Sequence, residues 1–467
     1  MAFDFLKRRV NQSAIRSVRK RGARLDRFKL TAKARIRDTL LADPVIAGAV
    51  ATHAHDRGED QAAVWRTVNR YIDEIVPFFN ILAYYRFGYF VSRALLNLFY
   101  KVSVHQQGER DASSLPKDAI VVYLMNHRSN ADYVLVGYVL TGRVAISYAV
   151  GEWARAFPLE YIFKSFGSYF VRRKFREPLY HTVLERYVQL ITKNGVTQGI
   201  FPEGGLSRDG KLKAGKIGLL DYIIGVARDP GFRGRIFLVP VAINYDRVLE
   251  DRSLLRELAV TRGQRTPARS AQFTEVSRYV WWNAGRLLAR RWKRYGRAAV
   301  TIGEPVPLEP WLDEQRATGE DLFDLPRHER LAKVQLLCDE MMGRIGAIIP
   351  VTPVSLACAA IQSLDSDFIA RPVLLERMTD MREVLAELNA EAIRAEGSTE
   401  SIFERAWKML SMRQMLVEVG EGYAVLPKNR GLVSYYANSI AHLLGSFEEG
   451  VRKRDTLPAM RGWIAGT

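Results

Sequence analysis

The feature that most restricts the fold of this chain is an alternation in its central part. Short apolar, β-rich runs alternate there with stretches of helical patterning, which is typical of a sheet covered by helices. The strand-like runs are residues 119–125, 144–150, 198–202, 236–244 and 298–302. The helix-like stretches include residues 131–140, 178–193 and 217–227. We therefore predict an α/β fold with a central mixed sheet.

The two ends of the chain differ from this central part. The N-terminal end is charged and helix-prone without strand-like runs, and beyond about residue 345 the strand signals fade. Amphipathic helical patterns then follow at residues 372–395, 401–417 and 431–444. The predicted parts are a basic helical arm at 1–65, an α/β domain at 66–345 and a helical C-terminal domain at 346–467.

The chain carries a strong positive charge. Its 69 Lys and Arg exceed 51 Asp and Glu, which gives a formal net charge of +18. Such a field attracts phosphate esters, acidic proteins, anionic lipid or nucleic acid without choosing between them. Ten of the first 30 residues are Lys or Arg and no apolar segment follows them, which argues against a secretory signal. We interpret this arm as a contact with an anionic membrane, the alternatives being an organelle transit peptide or a solubilising tail.

Three segments bear on how the chain would meet a membrane, and two of them, residues 75–100 and 345–364, need comparison with a membrane-spanning helix. In residues 75–100 the apolar run is interrupted by Arg86 and Arg93 and is crowded with aromatic residues, which favours an amphipathic helix facing the membrane over a spanning one; a core helix is the alternative. Residues 345–364 are uncharged but broken by two prolines into a turn and a short buried helix. Residues 278–297 mix three tryptophans with Arg and Lys, as in an interfacial helix or an ordinary surface helix. We predict no transmembrane helix and a peripheral location on the cytoplasmic face of the cell membrane.

The chain has two cysteines, Cys338 and Cys358. Their number and spacing match neither a disulfide framework nor a zinc site. This pattern fits a reducing, cytosol-facing compartment and predicts no metal.

A polar segment follows the first strand-like run and leads into a helix-like one. It reads Asn-His-Arg-Ser-Asn-Ala-Asp-Tyr over residues 126–133. His127 is a side chain that can take a proton near neutral pH, and a carboxylate such as Asp132 on its other ring nitrogen would fix the tautomer. The pair works if His127 lies in a loop and Asp132 in the first helical turn, with Ser129 or Asn130 as the N-cap. A His and an Asp at this spacing are also common without any function.

Two further segments offer groups that suit an anion. Residues 201–211, Phe-Pro-Glu-Gly-Gly-Leu-Ser-Arg-Asp-Gly-Lys, contain glycines that allow backbone N–H groups to approach a phosphate or a developing oxyanion. Ser207, Arg208 and Lys211 add hydrogen-bond donors and charge. Residues 167–173, Gly-Ser-Tyr-Phe-Val-Arg-Arg, end in two arginines that suit a phosphate or form an exposed pair. Taken alone, such a glycine-rich turn is usually only a turn.

A fourth segment completes the pattern. Residues 239–247, Val-Pro-Val-Ala-Ile-Asn-Tyr-Asp-Arg, indicate by themselves only an edge strand or a buried wall. In this order and at these separations, the four segments resemble the acyltransferase blocks of the glycerolipid acyltransferase family. His-Arg-Ser-x-x-Asp-Tyr and the double arginine look more like the glycerol-3-phosphate and dihydroxyacetone-phosphate acyltransferases than the lysophosphatidate acyltransferases. Residues 351–356 and 435–443 also look like parts of the C-terminal region of bacterial glycerol-3-phosphate acyltransferases of the PlsB type.

This resemblance implies an enzyme of phospholipid synthesis whose catalytic domain is residues 66–345. His127, oriented by Asp132, would deprotonate the sn-1 hydroxyl of glycerol 3-phosphate for direct attack on the thioester of acyl-CoA or acyl-carrier protein, giving lysophosphatidate. The resemblance adds Glu203 and Gly204 to the catalytic residues, in a turn that would help to hold the oxyanion. The substrate-binding residues that it implies are Arg128, Ser129, Arg172, Arg173, Gly205, Ser207 and Arg208. No cofactor is expected.

Alternatives to this interpretation concern both the acceptor and the class of protein. Leu206 stands where such enzymes often carry an Arg or Thr, so lysophosphatidate and dihydroxyacetone phosphate stay open as acceptors. The charge would also suit a nucleic-acid-binding protein. The sequence has no zinc-finger spacing, RNP-like block or obvious recognition helix, so we expect no nucleic-acid partner.

Overall fold

The structure, a computed structural model, describes most of the chain. The described residues are 26–80, 84, 88–110, 114–116, 118–140, 145–151, 154, 159–173, 175–261, 295–317, 321–390, 392 and 396–445. The first 25 residues of the basic arm and residues 278–294 of the tryptophan-rich segment lie outside this part of the chain, so the predictions made for them stay predictions.

The central sheet is mixed, as predicted. Its strands are β1 Lys101–Gln106, β2 Ile120–Met125, β3 Ser147–Gly151, β4 Tyr169–Val171, β5 Gln198–Ile200, β6 Ile236–Tyr245, β7 Arg297–Ile302 and β8 Val306–Pro307. Their order is β1-β7-β6-β2-β5-β3-β4, with β8 paired to β6. The five strands from β6 to β4 run parallel, whereas β7 and β1 run antiparallel to them. Every residue of β2 is buried, as expected of a central strand with cover on both faces.

Strand β6 contains a proline but lies inside the sheet, between β2 and β7. Its antiparallel neighbour changes from β8 to β7 at this point, with Leu238 opposite Val306 and Val241 opposite Ile302. Pro240 falls in the gap, where its carbonyl accepts from Gly303 N at 2.8 Å and no strand faces its missing N–H. The interpretation as an edge strand was therefore wrong, and the interpretation as a buried wall is confirmed.

Helices cover the sheet and extend from both ends of it. They are α1 Lys33–Leu41, α2 Pro44–Arg57, α3 Gln61–Ile75, α4 Tyr89–Phe99, α5 Asp132–Leu140, α6 Leu159–Ser165, α7 Pro178–Lys193, α8 Gly218–Ile224, α9 Asp251–Thr261, α10 Glu309–Ala317, α11 Arg327–Ala347, α12 Pro353–Leu364, α13 Arg371–Glu387, α14 Thr399–Met412 and α15 Arg430–Ala437.

The helices before the sheet pack on the α/β domain. Helix α3 presents Val64, Val68 and Ile72 at helical spacing, all buried, and both α2 and α3 lie against α7. The predicted boundary at residue 65 falls inside α3. Helices α1 to α3 are therefore part of the same folded unit as the central sheet.

The aromatic segment at residues 75–100 is not one continuous helix. Helix α3 ends at Ile75, where Val76 is extended, and Phe79 then forms a bridge with Phe166. Tyr84 and Gly88 have π-helical conformation, and the α-helix α4 begins at Tyr89. The structure describes this segment only in part, so an amphipathic helix near residues 75–100 stays a prediction. Across the part of the chain that the structure describes, no helix has both the length and the apolarity needed to cross a membrane.

The C-terminal part is mainly helical, as predicted, with one addition. Helix α12 starts with a capping box in which Thr352 and Ser355 exchange hydrogen bonds. A small antiparallel sheet of β9 Phe368–Ala370, β10 Leu416–Val419 and β11 Gly422–Val425 accompanies the helices. These strands are short, and β10 falls at the end of a segment that was expected to be helical, which explains why the sequence did not predict them.

Candidate active site

Three loops meet at one edge of the central sheet. Strands β2, β5 and β4 point in the same direction, so the segments that follow them lie at the same edge. These segments hold His127, the turn at 203–205, and the pair Arg172 and Arg173. The sequence segments that suggested chemistry are thus brought together.

His127 and Asp132 form a buried pair. His127 lies in the loop after β2 and Asp132 is the first residue of α5, as the spacing required. Nδ1 of His127 is 2.9 Å from Oδ2 of Asp132, and the two side chains are 1% and 0% exposed. Because a carboxylate is an acceptor, Nδ1 carries the proton, and Nε2 keeps the lone pair of a base.

Asp132 is held by more than its histidine. The same Oδ2 accepts from the backbone N–H groups of Arg128 at 2.7 Å and Ser129 at 3.0 Å. The other oxygen, Oδ1, accepts from the hydroxyl of Tyr245, the last residue of β6, at 2.6 Å. These donors fix the orientation of the carboxylate, and the two backbone donors hold the preceding loop close to it. The sequence analysis missed Tyr245, although it lies within the fourth segment.

Aromatic rings enclose the imidazole. Phe201 stacks on His127 with ring centroids 4.1 Å apart, and Tyr133 meets it edge-on at 5.4 Å. Burial lowers the pKa of His127 below its ordinary value of 6.5, and the hydrogen bond and charge of Asp132 oppose this shift. His127 is therefore neutral near pH 7, the state in which a general base can accept a proton.

Glu203 is hydrogen-bonded to the backbone of the His127 loop. Its Oε1 accepts from the backbone N–H of His127 at 2.7 Å and its Oε2 from that of Lys213 at 3.2 Å. Burial raises the pKa of Glu203 to about 7. The carboxyl group is thus directed at backbone donors, which indicates a positioning role. Gly204 has a φ of +66°, which suits glycine, and a Cβ there would come within 2.9 Å of the Lys216 side chain.

Three of the residues assigned to substrate binding hold loops together. Ser207 donates its N–H to the His127 carbonyl at 3.0 Å and its hydroxyl to the Lys211 carbonyl at 2.7 Å. Ser129 Oγ accepts from Ala131 N at 3.1 Å in the turn before α5, and its hydroxyl donates to a carboxylate oxygen of Glu250 at 2.6 Å. Both hydroxyl groups are therefore engaged within the protein.

Arg128, the third, has a buried guanidinium. It is 3% exposed, donates from one terminal nitrogen to the Gly210 carbonyl and lies 5.0 Å from the ring centre of Tyr435. Its Nε and Nη2 have no hydrogen-bond partner among the described residues. Its position indicates a contact with the C-terminal part of the chain.

The other three arginines assigned to substrate binding divide into two groups. Arg172 donates to both oxygens of Glu74 at 2.7 and 2.5 Å, and Arg208 pairs with Glu257 at 3.1 Å on the surface. Two of the arginines proposed for a phosphate are therefore engaged by carboxylates.

Arg173 differs from both. No carboxylate of the described residues pairs with it, and its charge is one of the causes that lower the pKa of His127. A Cβ placed on Gly205 would lie 3.5 Å from Nη1 of Arg173. A Cβ placed on Gly204 would lie 2.9 Å from the side chain of Lys216. Arg173 and Lys216, here called the cation pair, thus flank the 203–205 turn. Sequence reasoning missed Lys216, although the lysines that follow the third segment could have suggested it.

A metal is not suggested by this donor set. Within the described ranges, no group of three or more His, Cys, Asp and Glu side chains is arranged to hold a metal ion.

The geometry predicts how His127 titrates. We expect its imidazole to titrate below pH 6.5, and to titrate lower still in Asp132→Asn, because the carboxylate that raises its pKa is then lost. The measurement is a histidine side-chain NMR titration, with His127→Gln used to assign the signal. A pKa at or above 6.5 in the unmodified protein would contradict the buried geometry.

Comparison with known proteins gives two family matches within this chain. The family described as "Glycerol-3-phosphate acyltransferase C-terminal region" matches residues 282–446, and the "Acyltransferase" family matches residues 105–244. The second match contains the His127 loop, the double arginine and the 203–205 turn.

Curated relatives match over most of this chain. A glycerol-3-phosphate acyltransferase of Aeromonas hydrophila is 26% identical over 411 residues, covering 86% of this chain and 49% of the relative. One of Pseudoalteromonas atlantica is 25% identical over 405 residues, covering 85% and 48%. The chain spans about half the length of these relatives.

A solved structure, the 1-acyl-sn-glycerophosphate (LPA) acyltransferase PlsC of Thermotoga maritima, is 16% identical with a TM-score of 0.32, covering 69% of this chain and 98% of that one. The sequence blocks, the two matched families and the curated relatives agree in a similarity of this chain to the glycerol-3-phosphate acyltransferases of the glycerolipid acyltransferase family.

Proposed function

We propose that the protein transfers a fatty acyl chain from acyl-CoA or acyl-carrier protein to the sn-1 hydroxyl of glycerol 3-phosphate. The observation that carries this proposal is the buried His127–Asp132 pair, with its basic Nε2, beside the cation pair. The curated relatives are glycerol-3-phosphate acyltransferases by name, which supports the same acceptor.

The reaction needs one proton carrier. Nε2 of His127 takes the proton of the attacking hydroxyl as its oxygen bonds to the thioester carbonyl carbon. The tetrahedral intermediate then collapses, the carbon–sulfur bond breaks, and the thiolate takes the proton from the imidazolium. Asp132 stabilises the imidazolium between these steps. Direct transfer is supported by Ser207, whose hydroxyl lies in the neighbouring 201–211 segment but donates to the Lys211 carbonyl.

The cation pair is assigned to the acceptor phosphate. Arg173 offers a planar fork that matches phosphate oxygens, and Lys216 adds a mobile charge across the same turn. Both are exposed and unpaired with carboxylates among the described residues, so binding a phosphate breaks no ion pair. This assignment narrows the larger set of arginines that the sequence suggested.

We also propose that the protein works as a peripheral protein on the cytoplasmic face of an anionic membrane. The charge of +18 supports attraction to acidic headgroups, and Phe90 on α4 is 72% exposed, as suits insertion between lipids. Fatty acyl products would then pass directly into the bilayer.

The decisive test is an activity assay with purified protein. We expect transfer from acyl-CoA to glycerol 3-phosphate in preference to dihydroxyacetone phosphate or lysophosphatidate. His127→Ala should lower kcat by about 100- to 10,000-fold, because a positioned general base is lost. Asp132→Asn should act in the same direction, with circular dichroism checking the fold. Preference for either other acceptor would overturn the substrate, and near-normal turnover of His127→Ala would overturn the mechanism.

A second prediction concerns the phosphate. Arg173→Lys keeps the charge but loses the fork, so kcat/KM for glycerol 3-phosphate should fall roughly ten- to hundredfold while the donor KM stays constant. Arg208→Lys is the matched control, because that guanidinium pairs with Glu257 on the surface and should change little. Steady-state kinetics with each substrate varied in turn separates the two. An equal loss for donor and acceptor would exclude Arg173 as the phosphate ligand.

The membrane proposal predicts sedimentation with anionic vesicles. Binding should be much weaker to neutral phosphatidylcholine vesicles and partly reversed by high salt, which screens charge but not apolar insertion. Phe90→Ser should weaken the salt-resistant part, whereas Leu336→Ser, a second exposed apolar residue, serves as the control. Equal binding to neutral and anionic vesicles would contradict an electrostatic contact.

A further inference from the structure

The C-terminal part of the chain contacts the loops of the active site directly. The contacts come from Arg413, just after α14, and from Tyr435, Tyr436 and Asn438 in and after α15. These four residues are here called the C-terminal brace. The proposed reaction uses none of them.

One side of the brace holds Asp251, the first residue of α9. Arg413 donates two hydrogen bonds to the Asp251 carboxylate, at 2.5 and 3.0 Å, and both side chains are buried. The hydroxyl of Tyr436 donates to the same carboxylate at 2.5 Å and accepts from Val248 N at 3.0 Å. The segment between β6 and α9 is therefore fixed by the C-terminal part.

This segment in turn holds the His127 loop. Glu250, next to Asp251, accepts from the Ser129 hydroxyl at 2.6 Å and from Asn130 N at 3.2 Å. Ser129 N also donates to Asp132. The carboxylates of Glu250 and Asp132 therefore both accept hydrogen bonds from the His127 loop.

The other side of the brace packs on the third segment. Asn438 donates to the Asp209 carbonyl at 2.8 Å, and the Tyr435 backbone lies so near Gly210 that a Cβ there would come within 1.9 Å of the Tyr435 carbonyl oxygen. Gly210 has a φ of +88°, which suits glycine. Its carbonyl accepts from Arg128, whose guanidinium covers the Tyr435 ring.

Residues 126–130 contain neither helix nor strand. The position of such a loop depends on the partners of its backbone and side chains rather than on a hydrogen-bonded ladder. Asp132 and Glu250 are such partners, and the Gly210 carbonyl is the partner of the Arg128 side chain. The brace contacts both the segment that carries Glu250 and the segment that carries Gly210.

We propose that the C-terminal brace is a positioning device for the catalytic loop, which sets the geometry of His127 without touching substrate. This inference rests on the proposed function for its kinetic consequence, but not for its structural one. A misplaced base lowers the rate of proton transfer while substrate binding is kept, and small displacements of catalytic groups have large effects on rate.

Tyr436→Phe is the sharpest variant, because it removes one hydroxyl and keeps the buried ring. The control is Tyr423→Phe, a buried tyrosine in β11 whose hydroxyl is 3.4 Å from Arg371 within the C-terminal part. We expect kcat to fall between about tenfold and a hundredfold in Tyr436→Phe, with both KM values within about twofold of the unmodified protein. Tyr423→Phe should keep kcat, and the two variants should have similar melting temperatures.

A second pair of variants tests the ion pair between Arg413 and Asp251. Arg413→Lys keeps the charge but loses the double contact with Asp251, whereas Arg371→Lys makes the same change at an exposed pair with Glu400 and Glu404. Arg413→Lys should again lower kcat rather than raise KM. A loss that is equal in variant and control, or one seen only in KM, overturns the proposal.

Hydrogen exchange measured by mass spectrometry on the 467-residue chain gives a readout that needs no activity. The peptide spanning residues 126–133 should exchange faster in Tyr436→Phe and Arg413→Lys than in their controls, because its amides lose support. If the unmodified protein fails on all three acceptors, the proposed function is wrong and this comparison still decides the inference. Unchanged exchange of that peptide overturns the positioning role whatever the activity.

Discussion

The site depends on one carboxylate, that of Asp132. It accepts hydrogen bonds from the imidazole of His127, from two backbone N–H groups of the preceding loop and from the hydroxyl of Tyr245. A buried charge is costly unless its hydrogen bonds are satisfied, and here four donors satisfy it. The same contacts fold the loop, choose the tautomer of the histidine and connect α5 to β6. Loop structure and acid–base chemistry therefore have a common origin.

The sheet places these donors, and its parallel strands explain why separate sequence segments meet. The ends of β2, β4 and β5 bring together a base, a cation and a glycine turn from across the first half of the chain. The fourth segment contributes Tyr245 from β6, next to β2. Each segment alone is unremarkable in composition, and only their arrangement on one sheet edge makes a site.

Much of this could be predicted from sequence, for identifiable reasons. The buried strands β2 and β6 are continuous apolar runs, and His127 follows one of them at once, so both strand and loop were evident. The partners of the arginines could not be predicted, because Glu74 and Glu257 lie far away in sequence from Arg172 and Arg208. The same holds for Glu250 and Tyr436, whose roles depend on tertiary contacts. The small C-terminal sheet was not predicted because its strands are short and follow helical patterns.

The aromatic enclosure of His127 has a further consequence for selectivity. A base that can activate an alcohol can equally activate water, and an energy-rich thioester would then be wasted by hydrolysis. With Phe201 stacked on one face, Tyr133 at the edge and only 1% of the side chain exposed, bulk solvent has little access to the imidazole. In the proposed reaction, this exclusion of bulk water from His127 would favour transfer of the acyl chain to the acceptor alcohol over hydrolysis of the thioester.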